Sequence, residues 1–148
     1  MSDTKTAAKR KIMDLLATRE HSEQELRSKL HGKFVDEEDG LEAIEEAISF
    51  ASEKKWLGDP ADHASRLAET LHRRNKGICY INSYLEEKGL PAVETDSALE
   101  LEKAMAIVMN KFEENYKFSR EDKARVGRLL ASRGFDSETV RKVIYEKL

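Results

Sequence analysis

Apolar positions along the chain recur at spacings of three and four rather than two, in blocks separated by stop signals. That pattern predicts a succession of amphipathic helices. In HSEQELRSKL, residues 21–30, Ser22 followed three positions later by Glu25 forms a capping box. Leu26 and Leu30 give this helix its buried side, with Gly32 just past its end. The i, i+4 pair returns as Ile81 and Leu85, and again as Val126 and Leu130. Leu85 is followed at fixed offsets by Lys88, Gly89 and Leu90, and Leu130 by Arg133, Gly134 and Phe135. Each set is a basic last turn, a residue suited to left-handed backbone, then an apolar anchor. Copies spaced by about 45 to 55 residues predict stacked helical units.

In chain order, Ile12, Leu15 and Leu16 place one stripe on a helix over roughly Thr6 to Thr18. After KFVDEEDG, Asp39 can cap a third helix and Glu42 can reach back, with Leu41, Ile44, Ile48 and Ala51 on the buried side. Trp56 and Leu57 close this first group. Asp59 before Pro60 opens a fourth helix carrying Ala64, Leu67, Ala68 and Leu71; Gly77 breaks it, and Ile78 to Lys88 form the fifth. Ala98, Leu101, Met105, Val108 and Phe112 fit one long helix or two with a break near Glu100, and periodicity leaves both open. Ser119 with Asp122 caps the next helix, which Gly134 ends. Asp136 or Ser137 caps the last, with Val140, Val143, Ile144 and Leu148 on one face. The expected class is all-α, eight or nine helices grouped by three, with tri-helical repeats at 6–58, 59–100 and 101–148. Units that contact chiefly their neighbours predict an elongated monomer, so a radius of gyration near the ~15 Å of a compact globule would contradict it.

Composition agrees: 39% hydrophobic and 37% charged residues with two prolines favour helices over a turn-rich β fold. The single cysteine, Cys79, rules out an internal disulfide; beside Ile78 and Ile81 it reads as a small core residue. No apolar run reaches the ~18 residues of a membrane span, and the start MSDTKTAAKR lacks a secretory apolar stretch, so a cytoplasmic location is expected. The net charge of −3 conceals a segregation. Residues 5–33 hold eight Lys/Arg against four Asp/Glu and residues 117–148 nine against five. Residues 36–62 hold ten acidic against two basic side chains, and residues 86–114 eight against three. Such a chain can offer positive surface to phosphates or to an acidic protein.

The four histidines, His21, His31, His63 and His72, lack zinc-site spacing. Asp59, Asp62 and His63 cluster where capping and the helix dipole already favour acidic side chains. There is no glycine-rich phosphate loop, no GxSxG and no nucleophile with a base nearby in sequence, so neither catalysis nor a cofactor is expected. What remains is cationic. Arg73, Arg74 and Lys76 end the fourth helix, and Lys123, Arg125, Arg128 and Arg133 lie on and after the helix carrying Val126 and Leu130; these seven are the candidate partner- or DNA-binding residues. Guanidinium groups pair bidentately with phosphate or carboxylate. Lys123 and Arg128 fall away from the Val126/Leu130 stripe and are expected to be exposed. Tyr80, Tyr84, Tyr116 and Phe118, the aromatics that could stack unpaired bases, are as readily explained by packing, so a dedicated single-strand platform is not expected.

With LLATREHSEQELRSKL, KGICYINSYLEEKGL and RGF in this order, the chain resembles the RecX family, bacterial regulators of the recombinase RecA. The resemblance spans nearly the whole chain and is most specific in the first motif. It implies three tandem three-helix repeats in an elongated, curved molecule. It also implies a non-enzymatic function: binding along the groove of the RecA filament on DNA and modulating RecA, usually by inhibition. The chain departs from the family pattern at Trp56 to Asp59, where the family has a tyrosine-leucine-aspartate-aspartate run, and in having no phenylalanine between Phe50 and Phe112. The rival reading from another class is a sequence-tolerant DNA-binding module that acts without RecA.

Overall fold

The structure, a computed structural model, describes residues 3–148, so Met1 and Ser2 of the MSDTKTAAKR start lie outside it. Helix α1 (Asp3–Thr18) begins before the expected Thr6. Helix α2 (Glu23–Phe34) opens on the predicted capping box: Glu25 N–H donates to the Ser22 hydroxyl and Ser22 N–H to the Glu25 carboxylate. Gly32 does not stop it. The helix runs on to the buried Phe34, whose burial outweighs glycine's helix penalty of about 1 kcal/mol.

Helix α3 (Gly40–Glu53) starts differently from expectation. Asp39 sits in the left-handed region at φ 59° and its side chain caps nothing; its carbonyl accepts instead from Ala43 N–H at 2.8 Å. The buried arc of α3 is Ala43, Ile44, Ala47, Ile48 and Ala51. Leu41 falls just beyond its edge and is 61% exposed, which corrects its place in the core. Ala8 and Ile12 of α1 and Leu30 and Phe34 of α2 meet that arc, with Leu16 and Leu57 packed beside it. Alanines on facing stripes let α1 and α3 approach closely, and theirs is the most extensive contact among the helices.

Helix α4 (Pro60–Arg73) starts as predicted, with the Asp59 carboxylate accepting from Ala61 N–H at 2.8 Å. It buries Ala64, Ala68 and Leu71, and α5 (Ile78–Glu87) buries Ile78, Ile81 and Leu85. Helix α6 (Ser97–Lys111) is a single helix without a break at Glu100, capped by Asp96. Its buried stripe is Glu100, Lys103, Ala104 and Val108, while Ala98 is exposed. Helix α7 (Arg120–Ser132) carries the Ser119/Asp122 capping box, and α8 (Ser137–Lys142), capped by Asp136, widens into a π-helical turn over Val143–Lys147. Among the described residues all regular structure is helical.

The chain divides into two compact units: residues up to His63 together with Glu87–Leu90, and Ala64–Glu86 together with Pro91–Leu148. The first is centred on the α1–α3 core. In it Ser22 donates to the Lys88 carbonyl, and Lys88 reaches the Glu25 carboxylate at 3.1 Å. The second is centred on Ala104, Val108, Val126, Leu130, Phe135 and Val143. Phe112, Tyr116 and Phe118 stack at its edge with centroids 4.8 to 5.0 Å apart, and Tyr116 donates to the Asp122 carboxylate at 2.9 Å. That bond, with the Ser119 N–H as the larger cause, holds the Asp122 carboxyl below its usual range.

Candidate partner-binding surface

Two turns of the second unit lie backbone to backbone. The chain leaves α4 through Asn75 at φ 57°, and Lys76 N–H returns to the Leu71 carbonyl at 3.1 Å. Gly77 N–H then donates to the Arg133 carbonyl at 2.9 Å and Cys79 N–H to the Gly134 carbonyl at 2.8 Å. A methyl group on Gly77 would stand 2.2 Å from the Gly134 carbonyl carbon, so only glycine permits this approach. Gly134 itself has φ 90°. Cys79, expected in the core, is exposed, because α5 turns Ile78 and Ile81 inward and leaves Cys79 on the outer side.

Under the α4–α5 turn lies a charged pair that the apolar pattern did not announce. Glu100 and Lys103 are 0% and 3% exposed and pair with each other. The other Glu100 oxygen accepts from Ile78 N–H at 2.7 Å. The Lys103 ammonium also donates to the Lys76 carbonyl at 2.6 Å and to Nδ1 of His72 at 2.8 Å. An ammonium donor to Nδ1 requires a neutral imidazole with its proton on Nε2. Accordingly the His72 pKa is lowered, by burial first and by the Lys103 charge second, against the pull of Glu100. Burying a charge is tolerated only when an opposite charge and hydrogen bonds compensate it, here the Lys103 ammonium at one Glu100 oxygen and Ile78 N–H at the other. A signal existed: stepping back by four from Val108 and Ala104 lands on Glu100.

These two devices fix the end of α4 beside the end of α7. Arg74, Lys111 and Arg133 gather around one depression of about 230 Å³, lined also by Ile107 and Leu129. Among the described residues none of the three has a carboxylate within ion-pair distance. Lys111, on α6, is the member sequence reasoning missed; nothing local distinguishes it from any other exposed lysine. Arg73 is exposed and reaches Glu69 at 3.7 Å, and Lys76 lies 4.9 Å over the Tyr80 ring.

Helical geometry of about 100° per residue separates the α7 residues. Arg125 and Arg133 flank Leu129, so Arg125 faces the same side as the depression; it is exposed and 3.6 Å from Asp122. Arg128 is exposed on the outer side. Lys123 is half-buried, which corrects the expectation of full exposure. It projects near Leu130, toward the side where Gly127 meets Ile144 of the last turn.

No group of His, Cys, Asp and Glu among the described residues is disposed to hold a metal. His63 is buried with Nε2 3.6 Å from Glu20, while Asp59 serves as a helix cap. No helix among the described residues is long and apolar enough to cross a membrane.

Residues 98–144 match the model of the third three-helix domain of RecX, and residues 8–50 that of the first. The chain is 34% identical to the regulatory protein RecX of Leptothrix cholodnii over 92% of its own length and 86% of that protein. It is 32% identical to the regulatory protein RecX of Cronobacter sakazakii, over 90% of its length and 87% of that protein. The crystal structure of RecX from Lactobacillus salivarius aligns with a TM-score of 0.79 at 17% identity, covering 99% of this chain and 97% of that one, a likeness of fold alone.

Proposed function

Because this chain belongs to the RecX family of regulatory proteins, we propose that it docks a cationic face into the groove of the RecA filament on DNA. There it modulates RecA, chiefly by inhibiting recombinase, ATPase and co-protease activity together. It is a regulator, not an enzyme. In this reading it acts as a cytoplasmic monomer with three tri-helical repeats as successive contact modules, the boundary between the second and third lying before the unbroken α6 rather than at Glu100.

The observation that carries the reading is the meeting of Arg74, Lys111 and Arg133 at one depression with no carboxylate partner of their own among the described residues. Unpaired cations held side by side lose nothing internal on meeting an anionic partner, whereas Arg73 and Arg125 must first leave Glu69 and Asp122. Arg74, Arg133 and Lys111 form the centre of the contact, Lys76, Arg125, Arg73 and Arg128 flank it, and the half-buried Lys123 is peripheral.

The test is titration into a RecA–ssDNA ATPase assay, with a bare-DNA binding control. Inhibition well below one protein per RecA protomer is expected, weakening as salt screens the contact. Arg74→Glu/Arg133→Glu should keep the helical circular dichroism and lose most of the inhibition. A folded double variant that inhibits like wild type removes this face from the mechanism. Tight bare-DNA binding without an effect on RecA favours the DNA-binding module instead.

A further inference from the structure

The basic run that opens the chain, Lys9, Arg10 and Lys11, belongs to the first unit and has no part in the surface just described. On α1, Thr6, Lys9, Arg10 and Met13 recur at helical spacing and form one wall of a cleft of about 480 Å³ whose opposite side is Phe50 of α3. Met13 is 51% exposed there. The Phe50 ring is half-buried and meets Trp56 edge-on at 5.4 Å. Two ammonium groups converge on that ring, Lys9 at 4.9 Å and Lys54 at 5.6 Å.

The charges around this cleft are unbalanced. Lys5, one turn earlier on α1, is bonded to Glu42 and Glu46 at 3.4 and 3.2 Å. Lys9, Arg10 and Lys54 have no carboxylate within ion-pair distance among the described residues, and the rim carries only Asp14 against them. Two like charges on one ring repel, and an anion placed between them relieves that repulsion. The walls, by contrast, are a thioether, an aromatic ring and the methylene stems of a lysine and an arginine, which suit a bulky apolar side chain. A nucleobase would have to displace an ammonium group to stack on Phe50, so the chemistry favours a peptide over a nucleic acid.

We propose that the α1–α3 cleft is a docking site for an acidic peptide segment of a partner protein, with one large apolar side chain between Met13 and Phe50 and flanking carboxylates on Lys9, Arg10 and Lys54. This does not depend on how the chain engages RecA, because the site lies in the other compact unit.

Trp56 is the only tryptophan and touches Phe50, so its emission reports on the cleft. The probe is a fluorescein-labelled twelve-residue peptide of alternating glutamate and aspartate around a central phenylalanine, followed by anisotropy, with an unlabelled copy for Trp56 emission. Saturable binding with a change in Trp56 emission is expected. It should weaken about tenfold or more in Lys9→Glu/Lys54→Glu, in Met13→Asp, and with the central phenylalanine of the peptide replaced by alanine. Lys9→Gln/Lys54→Gln, which removes charge without reversing it, serves if circular dichroism shows the glutamate variant misfolded. The proposal is overturned by absence of saturable binding, by unchanged affinity in the folded variants, or by equal affinity for the alanine peptide. It is also overturned if labelled oligo(dT) binds more tightly than the peptide and loses affinity in the same variants, which would assign the cleft to nucleic acid.

Discussion

Ser22 serves two parts of the chain at once: its oxygen accepts from Glu25 N–H while its proton goes to the Lys88 carbonyl, and the side chain is buried. Loss of the cap costs about 1 kcal/mol, and loss of the second bond about as much again. Ser22→Ala should therefore cost about 2 kcal/mol in urea unfolding, roughly twice what a capping box alone predicts. Glu100 is the more severe case. Glu100→Ala strands the Lys103 ammonium in a dry environment and removes the acceptor of Ile78 N–H, a change expected to cost about 3–5 kcal/mol. Glu100→Leu combined with Lys103→Met should recover most of it, since apolar replacement of both members of a buried pair is often neutral. If the double variant is as unstable as Glu100→Ala, the pair's worth lies in its bonds to the α4–α5 turn rather than in charge compensation.

At the scale of elements, the helix starts and stops were the most legible features. Caps join atoms within three or four residues, so Ser22/Glu25, Ser119/Asp122, Asp59 and Asp136 can be read without knowing the fold. The repeated stops proved to be what the offsets implied: Gly89 and Gly134 have φ 72° and 90°, followed by buried Leu90 and Phe135. Gly32 and Asp39 show the limit, because Phe34 finds burial beyond the glycine and Asp39 takes a left-handed turn instead of capping. The sequence marks Gly77 only as a breaker, whereas its second role is the approach to Gly134. Gly77→Ala sets a methyl group against backbone that no rotamer change can move, so it should cost about 2–3 kcal/mol in chemical denaturation. It should also weaken partner binding, because the same displacement parts Arg74 from Arg133.

Over the whole molecule, stability should fall with acidification in two stages. Burial lowers the His21 pKa below its ordinary 6.5, partly offset by the bond to the Arg19 carbonyl, and the His72 pKa is lowered in the second unit. The unfolded chain takes up these protons first, so this stabilisation is complete above about pH 6.5 and is lost as pH falls toward the folded values. Glu25 follows. Burial pushes its carboxyl up, but bonds from Arg19, Ser22 N–H and Lys88 outweigh that and bring it to about 2 from 4.5. Its contribution is present above pH 4.5 and disappears between there and about 2. Melting temperatures recorded from pH 8 to 3 should show both stages. His21→Gln should flatten the first, and an undiminished slope between pH 7 and 5.5 would remove His21 as its source.

The sequence by itself determined which segments are helical, where most of them begin and end, the stripe that most of them bury, α6 excepted, and the family to which the chain belongs. All of these rest on spacings within a few residues or on a motif read along the chain. Only the tertiary structure decided the fate of charges and of single side chains. Glu100 and Lys103 are inside because Ile78 N–H and the Lys76 carbonyl, more than twenty residues away, supply their hydrogen bonds. Lys123 is half-buried and Cys79 exposed because of the direction in which α7 and α5 turn their packed faces. Arg74 and Arg133 come from two helix ends brought together where Gly77 lets its backbone approach Gly134, and Lys111 joins them from the end of α6. A cation's neighbours in space are set by packing, and packing joins residues that no periodicity along the chain connects.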